Sequence, residues 1–218
     1  MITLIGDTHG KFDRYLSIAQ NSEYSIQLGD VGFSSSDNNL AYCGLDPSRH
    51  KAIPGNHCIY PECLHSPFCL GDFGPASLAG TSFFFIRGGL SIDRTYRVNE
   101  WTTGGPKTWW DQEELSFAQM LQVIDSYKEA RPDIVLTHVP PAVINDRIYP
   151  DDKMLVRYGF SEGFRESTAL LGNELLKIHR PKLWVGAHHH KSYTIQIGET
   201  KFVGLAELEV AMLEDLLG

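Results

Sequence analysis

Short apolar segments of this chain repeatedly end in a polar residue that can bind a metal ion. The residues at these ends are Asp7, Asp30, Asn56, His138 and His188. Carboxylate and amide oxygens together with imidazole nitrogens suit divalent transition metals better than calcium or magnesium. Each residue alone is explained by a turn or a helix cap. Since ligands of open α/β sheets bind outside the carboxyl ends of the strands, five such ends in succession predict a metal site.

The segments that must position these residues have the pattern of short buried strands. They are Ile2–Ile5, Tyr24–Leu28, Lys51–Ile53, Asp133–Leu136 and Leu183–Val185. Ser82–Ile86 predicts a further core strand that contains Phe83–Phe85. Ser192–Ile197 and Lys201–Leu205 alternate in polarity and predict a hairpin that turns at Gly198-Glu199-Thr200.

Helices are predicted between these strands. The first contains Phe12, Tyr15, Leu16 and Ala19 at helical spacing, and the last spans Ser167–His179. A long helix is predicted over Asp111–Ala130. Its expected apolar face consists of Leu115, Ala118, Leu121, Val123 and Ile124. Two stretches, Cys58–Gly80 and Val139–Glu166, are predicted to be irregular loops, and long loops in a compact domain are usually functional or mobile.

Composition limits the class of protein. The 218 residues carry a net charge of −8, which predicts one domain over residues 1–218 and disfavours a protein that coats nucleic acid. No apolar run reaches the roughly 18–20 residues needed to span a membrane, and the N-terminus does not resemble a signal peptide. The four cysteines, Cys43, Cys58, Cys63 and Cys69, form no C-x-x-C pair. Reduced thiols in a cytoplasmic protein are therefore expected.

An ordered set of motifs spreads over most of the chain. It comprises Gly6-Asp7-Thr8-His9-Gly10, Gly29-Asp30, Gly55-Asn56-His57, Thr137-His138 and His188-His189-His190. This set resembles the calcineurin-like metallophosphoesterase superfamily. The segments Arg87–Arg94 and Trp109–Glu114 look like those of small phage-borne and bacterial members. The resemblance implies an α/β fold, a four-layer α-β-β-α sandwich of two mixed sheets with outer helices, in the cytoplasm of a bacterial or phage-infected cell.

The resemblance also implies a role for each motif residue. Asp7, His9 and His190 would hold a first metal ion, and Asp30 would bridge it to a second one. Asn56, His138 and His188 would complete the second site, with His189 as an intervening residue. The expected ions are two Mn, with Fe, Zn, Ni or Co as alternatives. A metal-bridging hydroxide would attack phosphorus in line, and His57 would act as the acid or electrostatic stabiliser.

The implied activity is hydrolysis of a phosphate mono- or diester of a small molecule, a nucleotide or a phosphopeptide. A serine/threonine protein phosphatase, a nuclease or a cyclic-nucleotide phosphodiesterase stays open, as does a non-enzymatic metal-bound scaffold. Val31-Gly32-Phe33 departs from the pattern of protein phosphatases, and Cys58 stands where many members have an acid. If that acid orients His57 in the family, another group must do so here. A metallo-β-lactamase-like site is excluded, because Lys191-Ser192 follows the histidines.

Arginines are candidates for contacting the phosphate, because a guanidinium can bind it through two hydrogen bonds. Arg87 and Arg94 are the preferred candidates for substrate binding. The others are Arg97, Arg147, Arg157 and Arg165. Trp109 and Trp110 are expected to pack at the start of the long helix.

Overall fold

The computed structural model describes residues 1–31 and 44–218 of the chain, so Gly32, Phe33 and Cys43 lie outside the described residues. The strands are β1 (Ile2–Ile5), β2 (Tyr24–Gln27), β3 (His50–Ala52), β4 (Phe73–Leu78), β5 (Thr81–Ile86), β6 (Ile134–Thr137), β7 (Leu183–Gly186), β8 (Tyr193–Ile197), β9 (Thr200–Gly204) and β10 (Val210–Met212). The α-helices are α1 (Phe12–Gln20), α2 (Arg94–Thr102), α3 (Phe117–Ala130), α4 (Ala142–Ile148), α5 (Lys153–Arg157), α6 (Ser167–Ile178) and α7 (Leu213–Leu217). Short 3₁₀ turns span Glu62–His65 and Asp111–Glu113.

The strands form two mixed sheets. The first has the order β10-β1-β2-β3, in which β1, β2 and β3 are parallel and β10 is antiparallel. The second has the order β4-β5-β6-β7-β9-β8, with β4 and β8 antiparallel at its two edges. Its central strands β5, β6, β7 and β9 are parallel. In each sheet the parallel strands therefore end at a common edge.

The two sheets pack face to face through one apolar core. Leu4 and Leu28 of the first sheet belong to the same buried cluster as Phe85, Leu136 and Val185 of the second. Successive residues of a strand point to opposite faces, so Phe84 and Trp184 point away from this core. They pack instead with helices α3 and α6, while α1 covers the outer face of the first sheet. The four-layer α-β-β-α arrangement predicted from the sequence is confirmed.

The long helix predicted over Asp111–Ala130 is wrong in its first third. Asp111–Glu113 is a 3₁₀ turn, Glu114 is extended, and α3 begins only at Phe117. Ser116 causes the break because it caps α3 in a reciprocal pair with Gln119, and a cap residue holds a non-helical backbone.

The apolar face predicted for this helix is also partly wrong. Ala118 is exposed, and Leu121 is 48% exposed. The buried positions in α3 are Val123 and Tyr127, one helical turn apart, and both pack on the second sheet.

The two stretches predicted to be irregular contain regular elements. Residues 58–80 include β4, an edge strand that tolerates Pro75 because an edge leaves backbone donors unpaired. Residues 139–166 include α4 and α5. The elements α2, β10 and α7 were not predicted either, since each is short and weakly periodic. No helix in the described part of the chain is long and apolar enough to cross a membrane.

Candidate metal centre

The polar residues at the strand ends meet at one place in the fold. Asp7, Asp30 and Asn56 follow β1, β2 and β3 of the first sheet, whereas His138 and His188 follow β6 and β7 of the second. His138 Nε2 lies 3.5 Å from Asp30 Oδ1 across the two sheets. Two residues can share a metal only if they lie well within about 10 Å, since metal–ligand bonds measure about 2.0–2.2 Å. The packing of the two sheets meets this condition.

One group of electron-pair donors surrounds His138. Its Nε2 lies 3.1 Å from Asn56 Oδ1 and 3.2 Å from His188 Nδ1. Its Nδ1 donates a hydrogen bond of 2.8 Å to the carbonyl of Leu28, which leaves the Nε2 lone pair directed at the group when the ring is neutral. An amide oxygen, two imidazole nitrogens and the nearby Asp30 carboxylate thus converge where a cation would be favourable.

The carboxylates around His138 confirm that this place attracts positive charge. Burial alone would lower the pKa of His138, but Asp30 and Asp7 raise it to about 10. These two carboxylates favour the protonated form of the His138 imidazole. A metal ion would displace this proton, because a histidine ligand must be neutral.

A second group of donors lies on the other side of Asp30. His9 Nε2 is 2.7 Å from His190 Nε2, which in turn is 3.0 Å from Asp7 Oδ2. This Asp7 oxygen is buried, and His9 Nε2 lies 3.8 Å from it. A buried carboxylate oxygen beside two imidazoles is the arrangement expected of a metal ligand.

Asp30 faces both groups. Its Oδ1 lies toward His138, and its Oδ2 is 3.7 Å from His9 Nε2. The backbone amide of His57 donates to Oδ1 over 2.8 Å, which fixes the rotation of the carboxylate. Although burial raises the pKa of Asp30, the proximity of His138 lowers it to about 2, so the group is ionised near neutral pH. A carboxylate in this position can be shared by two cations.

A hydrogen-bond chain that the sequence did not indicate orients Asn56. Its Nδ2 donates to Ser91 Oγ over 3.1 Å, and Ser91 Oγ donates to Glu113 Oε2 over 3.0 Å. Glu113 Oε1 accepts from Trp109 Nε1 over 2.9 Å. Because the amide nitrogen of Asn56 is used in this way, its oxygen is the atom that faces His138. The sequence predicted that Trp109 packs at the start of the helix expected over Asp111–Ala130. Trp109 does lie there, and its contact with Glu113 is a hydrogen bond.

Glu166 is a further residue beside the candidate ligands that the sequence did not indicate. It is buried, its Oε2 accepts from the backbone of Leu90 over 2.8 Å, and its Oε1 lies 3.6 Å from His188 Nε2. Burial raises its pKa to about 7. An acid at the N-cap position of α6 suggests a helix cap, yet Glu166 makes no capping hydrogen bond. It lies instead behind the ring of His188.

His57 lines the cavity that opens beside these residues, together with Asn56 and His188. Its ring is half-buried and lies 5.1 Å from the ring of His9, measured between centroids. Burial lowers its pKa. Cys58, which replaces the acid common in the family, is buried in an apolar cluster with Tyr15 and Tyr60. Cys63 and Cys69 carry free thiols.

Arg87 and Arg94, the preferred candidates for contacting substrate, are not among the residues that line this cavity. Arg87 is buried, donates to Asp72 and to the carbonyl of Gln112, and lies over the ring of Tyr60. The Arg87 guanidinium thus joins the segments that contain Asp72 and Gln112. Arg94 lies over the ring of Trp109. Of the other arginines considered from the sequence, Arg97 and Arg165 line the cavity.

Comparison with known proteins identifies the family of this architecture. The family model described as calcineurin-like phosphoesterase matches residues 1–192. No curated protein matches the chain.

Solved structures resemble this chain at low sequence identity. The phosphopantetheinyl hydrolase PptH from Mycobacterium tuberculosis is 12% identical with a TM-score of 0.50, and the match covers 94% of this chain and 90% of that one. GAP50, the anchor in the inner membrane complex of Plasmodium, is 13% identical with a TM-score of 0.49, over 94% of this chain and 70% of that one. A putative 5'-nucleotidase from Staphylococcus aureus is 13% identical with a TM-score of 0.48, over 95% and 48%.

Proposed function

The chain belongs to the calcineurin-like phosphoesterase family and hydrolyses phosphate ester bonds, and from that premise we propose that it acts on a phosphate mono- or diester with two divalent metal ions. The first ion is held by Asp7, His9 and His190. The second is held by Asn56, His138 and His188. Asp30 is shared between them.

The observation that carries this proposal is the position of the Asp30 carboxylate between two groups of donors. Its two oxygens face His138 on one side and His9 on the other. Asp7 Oδ2 supports the same assignment, because this buried oxygen lies beside the imidazoles of His9 and His190.

The residues of the site have different roles in the proposed reaction. Two bound ions would supply Lewis acidity and a nucleophile derived from water near neutral pH. Asp7 and Asp30 offset only half of the charge of two divalent ions, so the site favours a phosphate anion although the chain is acidic. His57 lines the cavity next to the ligands, and one of its ring nitrogens lies within 4.8 Å of ligand atoms of His9 and Asp30. We assign it to the leaving-group oxygen rather than to a metal ion. Ser91 and Glu113 hold the Asn56 amide in its binding orientation.

The donor set favours manganese, with iron, zinc, nickel and cobalt as the alternatives. The protein should be stripped with a chelator and assayed on 4-nitrophenyl phosphate and bis(4-nitrophenyl) phosphate with and without Mn²⁺. We expect no activity in the stripped protein and recovery with Mn²⁺. Elemental analysis should give two ions per chain. A stripped protein that hydrolyses both esters at the original rate would contradict the proposal.

The Asp30→Asn variant tests the shared carboxylate. It should lose more activity than any other single ligand change, because it removes the charge shared by both ions. Asp133→Asn is the matched control, since Asp133 is exposed and pairs with Lys182 at the surface. If Asp30→Asn keeps most of its activity with metal bound, the two-metal assignment is wrong. Cyclic nucleotides, dinucleotides and phosphopeptides complete the substrate panel.

A further inference from the structure

A cavity of about 350 Å³ extends away from the candidate metal centre. Asn56, His57 and His188 form its inner end, where the proposed function places the phosphate. Sites for small molecules are concave and of this size range. The cavity continues beyond any phosphate bound at the metal centre, so its outer part is available for the alcohol portion of the ester.

Several apolar side chains line the outer part of the cavity. Leu90 and Ile92 follow β5 on one side, Leu155 lies in α5 on another, and Phe164 lies in the segment before α6. Met154 and Tyr158 stand at the mouth, with 43% and 47% of their surfaces exposed. Large apolar side chains left exposed around a concavity indicate a ligand site.

Apart from the candidate metal ligands and Glu166, the charged residues that line the cavity disfavour binding of a second anion. Two arginines face the cavity, but each is paired with aspartate. Arg97 Nε lies 2.7 Å from Asp93 Oδ1. Arg165 contacts Asp146 at 2.5 Å and Asp152 at 2.8 Å. With Asp151, four aspartates face two arginines in this part of the lining, a formal charge of −2. Among the described residues that line this part, both guanidiniums are thus paired with aspartate rather than available to another phosphate or carboxylate.

We propose that this outer cavity binds an apolar alcohol portion without negative charge, so that the substrate is the phosphate ester of such an alcohol. The inference rests on the proposed function, which places the phosphate at the inner end. It disfavours polynucleotides, nucleoside polyphosphates and acidic phosphopeptides, because each would bring further anions against the aspartates. Leu155 and Phe164 are the specificity-determining side chains.

A series of n-alkyl phosphates from ethyl to hexyl tests this inference, because the leaving-group pKa stays nearly constant along the series. Each added methylene should raise kcat/KM about threefold, or about 80-fold from ethyl to hexyl, as apolar burial predicts. A terminal carboxylate on the hexyl chain should cost about tenfold, whereas a terminal amine should be tolerated, because of the aspartates.

Single substitutions in the cavity show which side chains cause the dependence on alkyl chain length. Leu155→Ala and Phe164→Ala should each reduce the ratio of hexyl to ethyl phosphate turnover about fivefold or more. Val156→Ala is the matched control, because Val156 lies in the same helix but does not line the cavity. It should leave the ratio at its original value. A ratio that responds equally to all three variants would overturn the assignment to the cavity.

Binding of n-alkylphosphonates by calorimetry provides a readout that does not depend on turnover. If ethyl phosphate is hydrolysed but chain length changes neither turnover nor phosphonate binding, the inference fails and the proposed function stands. If no ester is hydrolysed while phosphonate binding tightens with chain length and weakens in Leu155→Ala, the proposed function fails and the apolar site stands. If the carboxylated chain is hydrolysed as fast as the plain hexyl chain, the charge argument is wrong.

Discussion

Four candidate metal ligands have a left-handed backbone conformation that residues other than glycine rarely adopt. The φ angles are 46° for His9, 57° for Asp30, 66° for His188 and 52° for His190. Within residues 1–31 and 44–218 only seven non-glycine residues have a positive φ, so this conformation is concentrated at the site. Such residues cost about 1–3 kcal/mol each and persist where the surrounding structure enforces them. Here they turn the side chains toward the metal centre.

At the residue scale, His57→Ala should distinguish an acid from a ligand. The variant should lower kcat by about 10²–10⁴ on an alkyl phosphate, because an alkoxide leaves only with a proton. It should matter much less for 4-nitrophenyl phosphate, whose leaving group needs no protonation. Metal content should stay at the wild-type level. An equal loss on both esters would point to electrostatic binding, and loss of metal would make His57 a ligand.

Glu113 provides a second prediction at this scale. Burial raises its pKa from 4.5 to about 8, although Ser91 and Trp109 donate to it. Between these pH values the folded protein keeps a proton that the unfolded chain has lost, so stability from this group falls as pH rises. In Glu113→Gln this contribution is absent.

Urea unfolding of stripped wild type and Glu113→Gln at pH 5 and pH 8 measures the effect. The wild type should lose more stability than the variant across this range, by at most about 4 kcal/mol at 1.36 kcal/mol per pH unit. Glu129→Gln, an exposed change in α3, is the control and should follow the wild type. Parallel pH dependence in wild type and Glu113→Gln would show that this acid is ionised in the folded protein.

At the scale of the elements, the turns after the strands leave no room for side chains. A Cβ on Gly29 would lie 1.9 Å from His138 Nδ1, and one on Gly55 would lie 2.2 Å from Asp30 Oδ1. Such distances do not occur between real atoms. The glycines in the Gly-Asp and Gly-Asn-His motifs are therefore required because another ligand packs directly on the turn.

Gly55→Ala should consequently disrupt the shared carboxylate. The added methyl group would displace Asp30, so we expect loss of both metal ions and a fall in activity of at least about 100-fold, since a misplacement of 1 Å can have that effect. Gly186→Ala is the matched control at the end of β7, where the nearest atom would lie at an ordinary 3.5 Å. Circular dichroism checks that both variants fold. Normal metal content in Gly55→Ala would refute the packing argument.

At the scale of the whole molecule, the candidate ligands come from both sheets. Asp7, Asp30 and Asn56 belong to the first sheet, and His138 and His188 belong to the second. The site therefore exists only when the two sheets are packed together. Metal ions that bind there should stabilise the packed state, because the unfolded chain holds no such cluster.

Adding Mn²⁺ to the stripped protein should therefore raise its melting temperature. A ligand at 100 times its dissociation constant stabilises by about 2.7 kcal/mol. For a chain of this length that corresponds to a shift of about 5–10 °C. Asp30→Asn should show a smaller shift than Asp133→Asn, measured by differential scanning fluorimetry. An unchanged melting temperature in wild-type protein would show that Mn²⁺ does not bind the folded chain.

The amino-acid sequence by itself determined the features that rest on local patterns. Strands such as Ile2–Ile5 and Leu183–Gly186 are short apolar runs, and their polar ends mark the candidate ligands in chain order. Parallel strands end at one edge, so residues at these ends lie together whatever the details of packing. The five ligand candidates at strand ends could be predicted for this reason, whereas the four-layer fold and the ligand roles of His9 and His190 were implied by the resemblance to the calcineurin-like superfamily.

Tertiary structure alone decided which other residues face the site. Glu166 reaches Leu90 across 76 residues of sequence, and Asn56 reaches Ser91 across 35. Arg87 is buried on Asp72, while Arg97 and Arg165 line the cavity, although all three are similar in sequence terms. Periodicity and turn chemistry report only on neighbours along the chain. Contacts between distant segments depend on how whole layers pack, and that packing also forms the apolar cavity beside the metal centre.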